Sequence, residues 1–361
     1  MERRTVLKAM LAANAVALPW SATRAAEGPL KVGFIYPNPI GDCGFAYQQD
    51  LGRQALEKAM GDKVTVRTVA DIAEGPDVER VVRELSQDGC KLLFATSFGY
   101  MNPIMKVARQ NPDAFYLVAS GYRTASNFSG YNAKWHEGSY LAGIAAGNLS
   151  KSNLIGYVAP YPVPDVAWAL NGFALGARSV NPKAEVRVIF VNSWYDPGKE
   201  REAALTLMSM GADVMTHFTD TPSVLQAAEE KGIWSISFHS NMVQYAPKKY
   251  VTGITHNWGG YFQQVANDVL AGTQQGGLYM GGVKEGVVKL APFGPEVPSD
   301  LAALISGKEQ EMAAGKLAVF SGPIRDRNGV ERVAQGSTYP DAELGKMDWY
   351  VEGIVGGPSK G

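Results

Sequence analysis

The side chains able to do chemistry gather in loops that follow short apolar runs. The run Lys31–Pro37 leads into a loop that carries Asn38, Asp42, Phe45 and Tyr47. After Leu92–Thr96 come Ser97, Phe98 and Tyr100, and after Phe115–Ala119 come Ser120 and Tyr122. Further on, similar loops hold Tyr161, Trp168, Trp194-Tyr195-Asp196, His217-Phe218 and Phe238-His239-Ser240-Asn241. A single Phe or Tyr packs into a core or a rim. Seven or more rings along one edge instead suit a flat ligand, since stacking adds roughly 0.5–1.5 kcal/mol per ring pair beyond area burial. Sugars also rest on aromatic rings, so planarity is favoured and not required. Asp42 and Asp196 are candidate acceptors for ligand N–H groups. Asp196-Pro197-Gly198 has a second reading as a helix cap ahead of Lys199, and Asp42, also just before a helix, is either a cap or a ligand contact.

A catalytic alternative rests on Ala95-Thr96-Ser97-Phe98-Gly99, which has the form of a nucleophile elbow with Ala in the first Gly position. It would make the protein an exported serine hydrolase using Ser97. Its acid and base candidates, Asp220 and His239, belong to the second half of the chain, across the presumed cleft, whereas a triad needs mutual hydrogen-bond reach. The four histidines (136, 217, 239, 256) form no i, i+4 pair and no HExxH, so no metal site is expected. No GxxxxGK[ST] loop occurs, no GxGxxG follows a strand, and no cofactor is expected. Lys+Arg 34 against Asp+Glu 35 gives a net charge of −1, which argues against nucleic acid as a partner.

The elements that must position these loops alternate. Strand-like runs at Lys31–Pro37, Val64–Val69, Leu92–Thr96 and Phe115–Ala119 are separated by helical patterns at Phe45–Met60, Asp77–Gln87 and Pro103–Arg109. The alternation restarts with strands at Leu154–Ala159, Val186–Val191, Val214–Phe218 and Trp234–Phe238 and helices at Ala167–Val180, Lys199–Met210 and Pro222–Lys231. Parallel strands need crossover helices, so the fold class is α/β, with two doubly wound parallel-sheet lobes of four or five strands each. Ligands of such sheets bind beyond the carboxyl ends of the strands, where the aromatic loops fall. Asn127–Ala133 and Thr252–Asn257 are the expected crossings between lobes, Trp258–Ala271 a further helix, Glu285–Ala291 a further strand, and the Gly-rich Gly276–Gly282 a surface loop. The expected division is 30–132 plus 258–284 for one lobe, 133–257 plus 285–340 for the other, and a tail at 341–361. More than one crossing makes a hinge that can close on a ligand.

Residues 1–26 read as a signal peptide: Arg3-Arg4, an apolar run from Ala9 to Leu18, Pro19, and small residues at Ala22, Ala25 and Ala26. The string Arg3-Arg4-Thr5-Val6-Leu7-Lys8 resembles a twin-arginine signal; the alternative is a Sec signal with two arginines. No Cys lies near the cleavage point to take a lipid anchor, and no later segment has 18 consecutive apolar residues. The expected location is the periplasm. Cys43 and Cys90 fall at places too far apart in a parallel sheet for a roughly 5–6 Å Cα pair, and are expected as free thiols.

Several blocks together resemble the basic membrane protein family of ABC-transporter substrate-binding proteins, which includes purine-nucleoside receptors. They are Gly41-Asp42-Cys43-Gly44-Phe45, Glu137-Gly138-Ser139-Tyr140-Leu141-Ala142-Gly143, Gly172-Phe173-Ala174-Leu175-Gly176-Ala177 with Asn181-Pro182, Trp194-Tyr195-Asp196-Pro197 with Lys199, Gly211-Ala212-Asp213-Val214, and Gly282-Val283-Lys284-Glu285-Gly286. The resemblance implies a type I periplasmic-binding fold with three hinge crossings, a small-molecule ligand in the interlobe cleft, and ABC permease subunits as partners. It implies that Phe45 stacks on a purine and that Asp42 and Lys284 lie near the ligand. Where the family has Gly-Val-Asp-x-Asp-Gln, this chain has Ser237-Phe238-His239-Ser240-Asn241-Met242, with both acids replaced. In the nucleoside receptors that region serves the ribose. Loss of the acids beside Trp168 and Trp194 points to a free purine base or related flat heterocycle, with a nucleoside or another aromatic solute as the alternative.

Overall fold

The computed structural model describes residues 28–358. The signal peptide expected at 1–26 lies outside them. In the first half, strands β1 (Leu30–Ile35), β2 (Val64–Val69), β3 (Leu92–Ala95), β4 (Phe115–Ala119) and β5 (Phe128–Ala133) alternate with helices α1 (Gly44–Met60), α2 (Pro76–Gln87) and α3 (Met101–Ala108). Next come α4 (Trp135–Leu149), β6 (Leu154–Ala159), α5 (Pro164–Val180), β7 (Glu185–Phe190), α6 (Pro197–Ser209), β8 (Val214–His217), α7 (Ser223–Lys231), β9 (Trp234–His239) and β10 (Tyr250–His256). The chain ends with α8 (Gly259–Ala271), β11 (Leu278–Gly281), β12 (Val288–Leu290), α9 (Ser299–Ala313), the β13–β14 hairpin (Ile324–Arg325, Glu331–Val333) and β15 (Ile354–Gly356).

Two sheets result. One runs β11-β5-β4-β3-β1-β2 and the other β12-β10-β9-β8-β6-β7-β15. Every pairing in them is parallel except β10 with β12. The expected α/β architecture is present, with six and seven strands in place of four or five. Gly276–Gly282 is not a surface loop: its residues 278–281 form β11, paired in parallel with β5 from Leu278↔Gly130 to Gly281↔Ala133. Glycines hid that strand from a reading based on β-branched runs. The segments expected as crossings, Asn127–Ala133 and Thr252–Asn257, are mostly strands β5 and β10. The chain passes between the sheets just after them, at Lys134 and at Asn257–Trp258, and a third time between β11 and β12. Residues 341–358 turn back on the second sheet, where β15 pairs with β7.

Apolar spacing explains the helices. Val78, Val81, Val82 and Leu85 of α2 recur at helical intervals and are all buried. The α4–α5 pair depends on a different device. A Cβ at Gly143 would stand 2.1 Å from the Phe173 carbonyl oxygen, and one at Gly176 would stand 2.0 Å from that of Tyr140. Two of the blocks shared with the family are therefore a helix–helix seam, in which glycine admits backbone against backbone. Gly143→Val is expected to lower stability by about 3 kcal/mol, the upper end of ordinary overpacking, with thermal unfolding as the measurement. Both Cys43 and Cys90 are free thiols.

Candidate functional site

The carboxyl ends of the two sheets face each other across a cavity with about 450 Å³ of atom-free space, its mouth included. Rings of Phe45, Phe98, Trp135, Trp194 and Phe218 line it, together with Pro37. The polar lining comes from Thr96, Ser97, Ser120, Asp165, Asp220 and His239.

Phe45 is the second residue of α1, and the start of that helix reaches across the cleft. The Gly44 amide donates to Ser240 Oγ (2.9 Å) and the Phe45 amide to Asp220 Oδ1 (3.2 Å). Helix-terminal N–H groups have no partner within their own helix, so acceptors from the opposite sheet complete them. Glycine is required at position 44, where φ is +86° and a Cβ would lie 2.3 Å from the Asp220 carbonyl oxygen. The Phe45 ring meets His239 edge-on at 5.2 Å.

Trp135 opens α4 directly after the first crossing. Its indole Nε1 donates to Asn132 Oδ1 (3.1 Å), while Asn132 Nδ2 donates to Asp165 Oδ2 (2.9 Å). One buried amide thus orients both a ring and a carboxyl of the cavity. Trp135 stands edge-on to Phe218 (6.0 Å) and His239 (5.5 Å), and Tyr161 meets Trp194 at 5.2 Å.

Burial decides the electrostatics. Asp220 is pushed up to about 7 by desolvation, although the Phe45 amide and Asn38 Nδ2 (3.0 Å) donate to its oxygens. Asp165 is pushed up to about 6, again by burial. His239 is pushed down to about 3 by the same cause. Its Nε2 lies 3.1 Å from the Phe218 carbonyl, which can only accept, so Nε2 carries the proton and Nδ1 is a bare acceptor. Among the described residues, no Lys or Arg lines the cavity. His239 Nδ1 and the ionised forms of Asp165 and Asp220 accept, which suits a ligand whose edge donates N–H or O–H groups, while the Thr96 and Ser120 hydroxyls can also donate.

Of the residues expected from sequence, Phe45, Phe98, Trp194, Phe218 and His239 come together in this lining. The others lie elsewhere. Asp42 is exposed and neither caps α1 nor lines the cavity; both its oxygens accept the Tyr245 hydroxyl (2.8 and 2.7 Å). Tyr47 is half-buried on α1, outside the lining. Trp168 is in the core of the second sheet's layer. Asn241 is exposed and accepts the Val243 amide (3.2 Å), and Lys284 is exposed in the third crossing. Asp196 is the cap of α6, accepting the Lys199 amide at 3.0 Å. Ser97 lines the cavity, but its hydroxyl donates to Glu74 Oε1 (2.5 Å). Among the described residues, no hydrogen bond joins Ser97 to a histidine, and no cluster of His, Cys, Asp or Glu could hold a metal.

Trp135 and Asp165 were not singled out from sequence. The usable signal was position: Trp135 begins the helix after β5, and Asp165 follows β6 behind Pro164. Reading Asn127–Ala133 as a connector hid the first.

Residues 30–314 match the model of the Bmp family, described as ABC transporter substrate-binding protein PnrA-like. The chain belongs to the Bmp family. It is similar to a purine-binding protein of Brucella abortus, 43% identical over 91% of this chain and 94% of that one. It is also similar to a putative ABC transporter glucose-binding protein of Haloferax volcanii, 32% identical over 91% of this chain and 81% of that one. An ABC transporter solute-binding protein from Aeropyrum pernix has the same fold, with TM-score 0.69 and 20% identity over 82% of this chain and 93% of that one. This Bmp-family chain is accordingly an ABC transporter substrate-binding protein, of a family whose members are not enzymes. Substrate-binding proteins of ABC importers are exported, and among the described residues no helix is long and apolar enough to cross a membrane.

Proposed function

We propose that this protein captures a purine base or a related flat heterocycle between its lobes and hands it to the permease subunits of an inner-membrane ABC importer. It works in the periplasm, after removal of the twin-arginine-like leader at 1–26. The observation that carries the reading is the pairing of aromatic walls from both sheets, Phe45 with Trp135 and Phe218, with buried acceptors at Asp165, Asp220 and His239. Rings provide the faces for stacking, and the acceptors suit ring and exocyclic N–H groups. The name of the Brucella relative supports the same ligand class.

A base is favoured over a nucleoside. Positions 239 and 241 carry no carboxylate, and Asn241 stands outside the lining. Both oxygens of Asp220 already take protein donors, which leaves fewer lone pairs for ribose hydroxyls. Calorimetry against adenine, guanine, hypoxanthine, xanthine, the matching nucleosides and glucose is the test. Tighter binding of nucleosides removes the preference for a base. Tighter binding of glucose, suggested by the Haloferax relative, removes the purine reading altogether. Phe45→Ala is expected to weaken adenine binding tenfold or more, corresponding to about 1.4 kcal/mol; an unchanged affinity would take Phe45 out of the site.

A further inference from the structure

The family match ends at residue 314, yet the described chain continues to 358. Residues 315–358 form a strap along the second lobe. At its far end β15 pairs with β7 from Ile354↔Val186 to Gly356↔Val188. In the middle, the Trp349 carbonyl accepts from Asn171 Nδ2, and the Val351 amide donates to Asn171 Oδ1, each at 2.9 Å. Asn171 is a fully buried residue of α5, so this end is fixed to the lobe's core.

The near end grips the first crossing on both sides of the cavity residue Trp135. Lys134 Nζ pairs with Asp341 Oδ2 at 2.7 Å. His136 stacks on Phe320 with ring centres 4.9 Å apart and planes at 29°. From Phe320 the rings continue to Tyr339 (6.2 Å) and from Tyr339 to Trp349 (5.7 Å), next to the Asn171 anchor. The crossings are in turn tied to each other. The Lys134 amide donates to the Gly281 carbonyl (2.8 Å), Val283 N to Glu137 Oε2 (2.6 Å), and Asn257 N to the Val287 carbonyl (2.8 Å). Whatever holds residues 134 and 136 therefore holds the hinge as well as the ring between them.

We infer that residues 315–358 are a brace for the hinge, in which Asp341 and Phe320 act as positioning residues that set the Trp135 wall and the freedom of the crossings during ligand capture. The ion pair is partly solvated, with Asp341 57% and Lys134 21% exposed, and its direct contribution to folding is small. Its effect is local: without it the first crossing is freer to pivot about Lys134, and Trp135, held then by its hydrogen bond to Asn132, varies more in its angle to Phe218 and His239.

The experiment compares wild type with Asp341→Ala, Asp341→Glu and Phe320→Leu. Hydrogen exchange is followed at amides 134–137 in ligand-free protein, with β8 and β9 as internal reference, and adenine affinity is measured by calorimetry. In Asp341→Ala and Phe320→Leu, exchange at 134–137 is expected to speed up fivefold or more while β8 and β9 keep their protection. Adenine affinity is expected to fall three- to tenfold, and glutamate at 341 to restore both. Unchanged exchange at 134–137, acceleration spread evenly over the lobe, or faster local exchange with unchanged affinity would each overturn the positioning role. The proposal rests on the purine reading only for its affinity readout. If wild type does not bind adenine, that reading falls, and the exchange pattern alone decides about the brace.

Discussion

Alanine at position 44 is expected to reduce adenine affinity a hundredfold or more while both lobes remain folded. The residue has φ +86° and its hydrogen atoms face the backbone of Asp220, 2.3 Å from where a methyl group would stand. A flexible side chain could move aside, but a carbonyl fixed just after β8 cannot do so without displacing the loop that holds Phe218 and Asp220. Part of the strain is local, because φ +86° disfavours alanine by itself, and the rest falls on the contact between lobes, so the start of α1 must withdraw from Asp220 and Ser240. The Phe45 amide then loses its acceptor, and its ring leaves the opposite wall. A ligand can shift the closure equilibrium only by its differential affinity for the closed state, and here that state is penalised in advance. Calorimetry gives the affinity. Small-angle scattering should show a larger radius of gyration than in wild type, and the unfolding midpoint should fall only by the local backbone strain, about 1–2 kcal/mol. Wild-type affinity would mean that the α1–Asp220 clasp is no part of capture.

Asp220→Asn is expected to have two effects, of which the second has a defined sign with pH. An amide oxygen can replace one carboxylate oxygen, but the NH₂ group cannot accept. Either the Phe45 amide or Asn38 is then left unpaired in a buried place, at a cost of about 1–3 kcal/mol. Adenine affinity should therefore fall by tenfold or more. As to stability, the Asp220 carboxyl sits at about 7 in the folded protein, well above its ordinary value, because burial disfavours its charge. The folded state thus holds a proton that the unfolded chain has released, and wild-type stability contributed by this group declines as pH rises from about 4 to about 7. Asparagine does not titrate. The difference in melting temperature, variant minus wild type, should rise across that window and level off above it. The raised carboxyls of Asp165 and Glu137 are common to both proteins and cancel from the difference, whereas Glu200, whose charge helps to raise Asp220, loses that like-charged neighbour in the variant and adds to the same rise. A flat difference between pH 4 and pH 8 would show that Asp220 is ionised throughout.

Much of the fold was legible in the sequence because the parallel strands are short continuous apolar runs and the helices between them keep a 3.6-residue stripe. The exceptions share a cause. β11 is Leu-Tyr-Met-Gly between glycines, and β5 contains Ser129, Gly130 and Asn132, so neither shows the β-branched composition by which strands are recognised. Missing β5 as a strand also concealed Trp135, which begins the helix beyond it. In the cavity, rings in loops after strands were visible as a group, but the residues holding them were not. Asp220 and Ser240 matter through contact with Gly44 and Phe45, nearly two hundred positions away in sequence, and no local spacing encodes that distance. Asp42 illustrates the converse: it lies in the expected loop, yet its oxygens turn to Tyr245. The shared Gly-rich helix blocks, legible in the sequence only as a resemblance, serve the α4–α5 seam.

The three passages of the chain between the sheets also govern the order of assembly. β11, which borders β5 in the first sheet, is made only after β6 to β10 of the second, and β15 is made last of all. A nascent chain ending before residue 278 leaves β5 as an open edge with unpaired backbone groups, a template for mispairing with other chains. Neither sheet is therefore complete until the last segments have been made, and truncated products should be prone to aggregation.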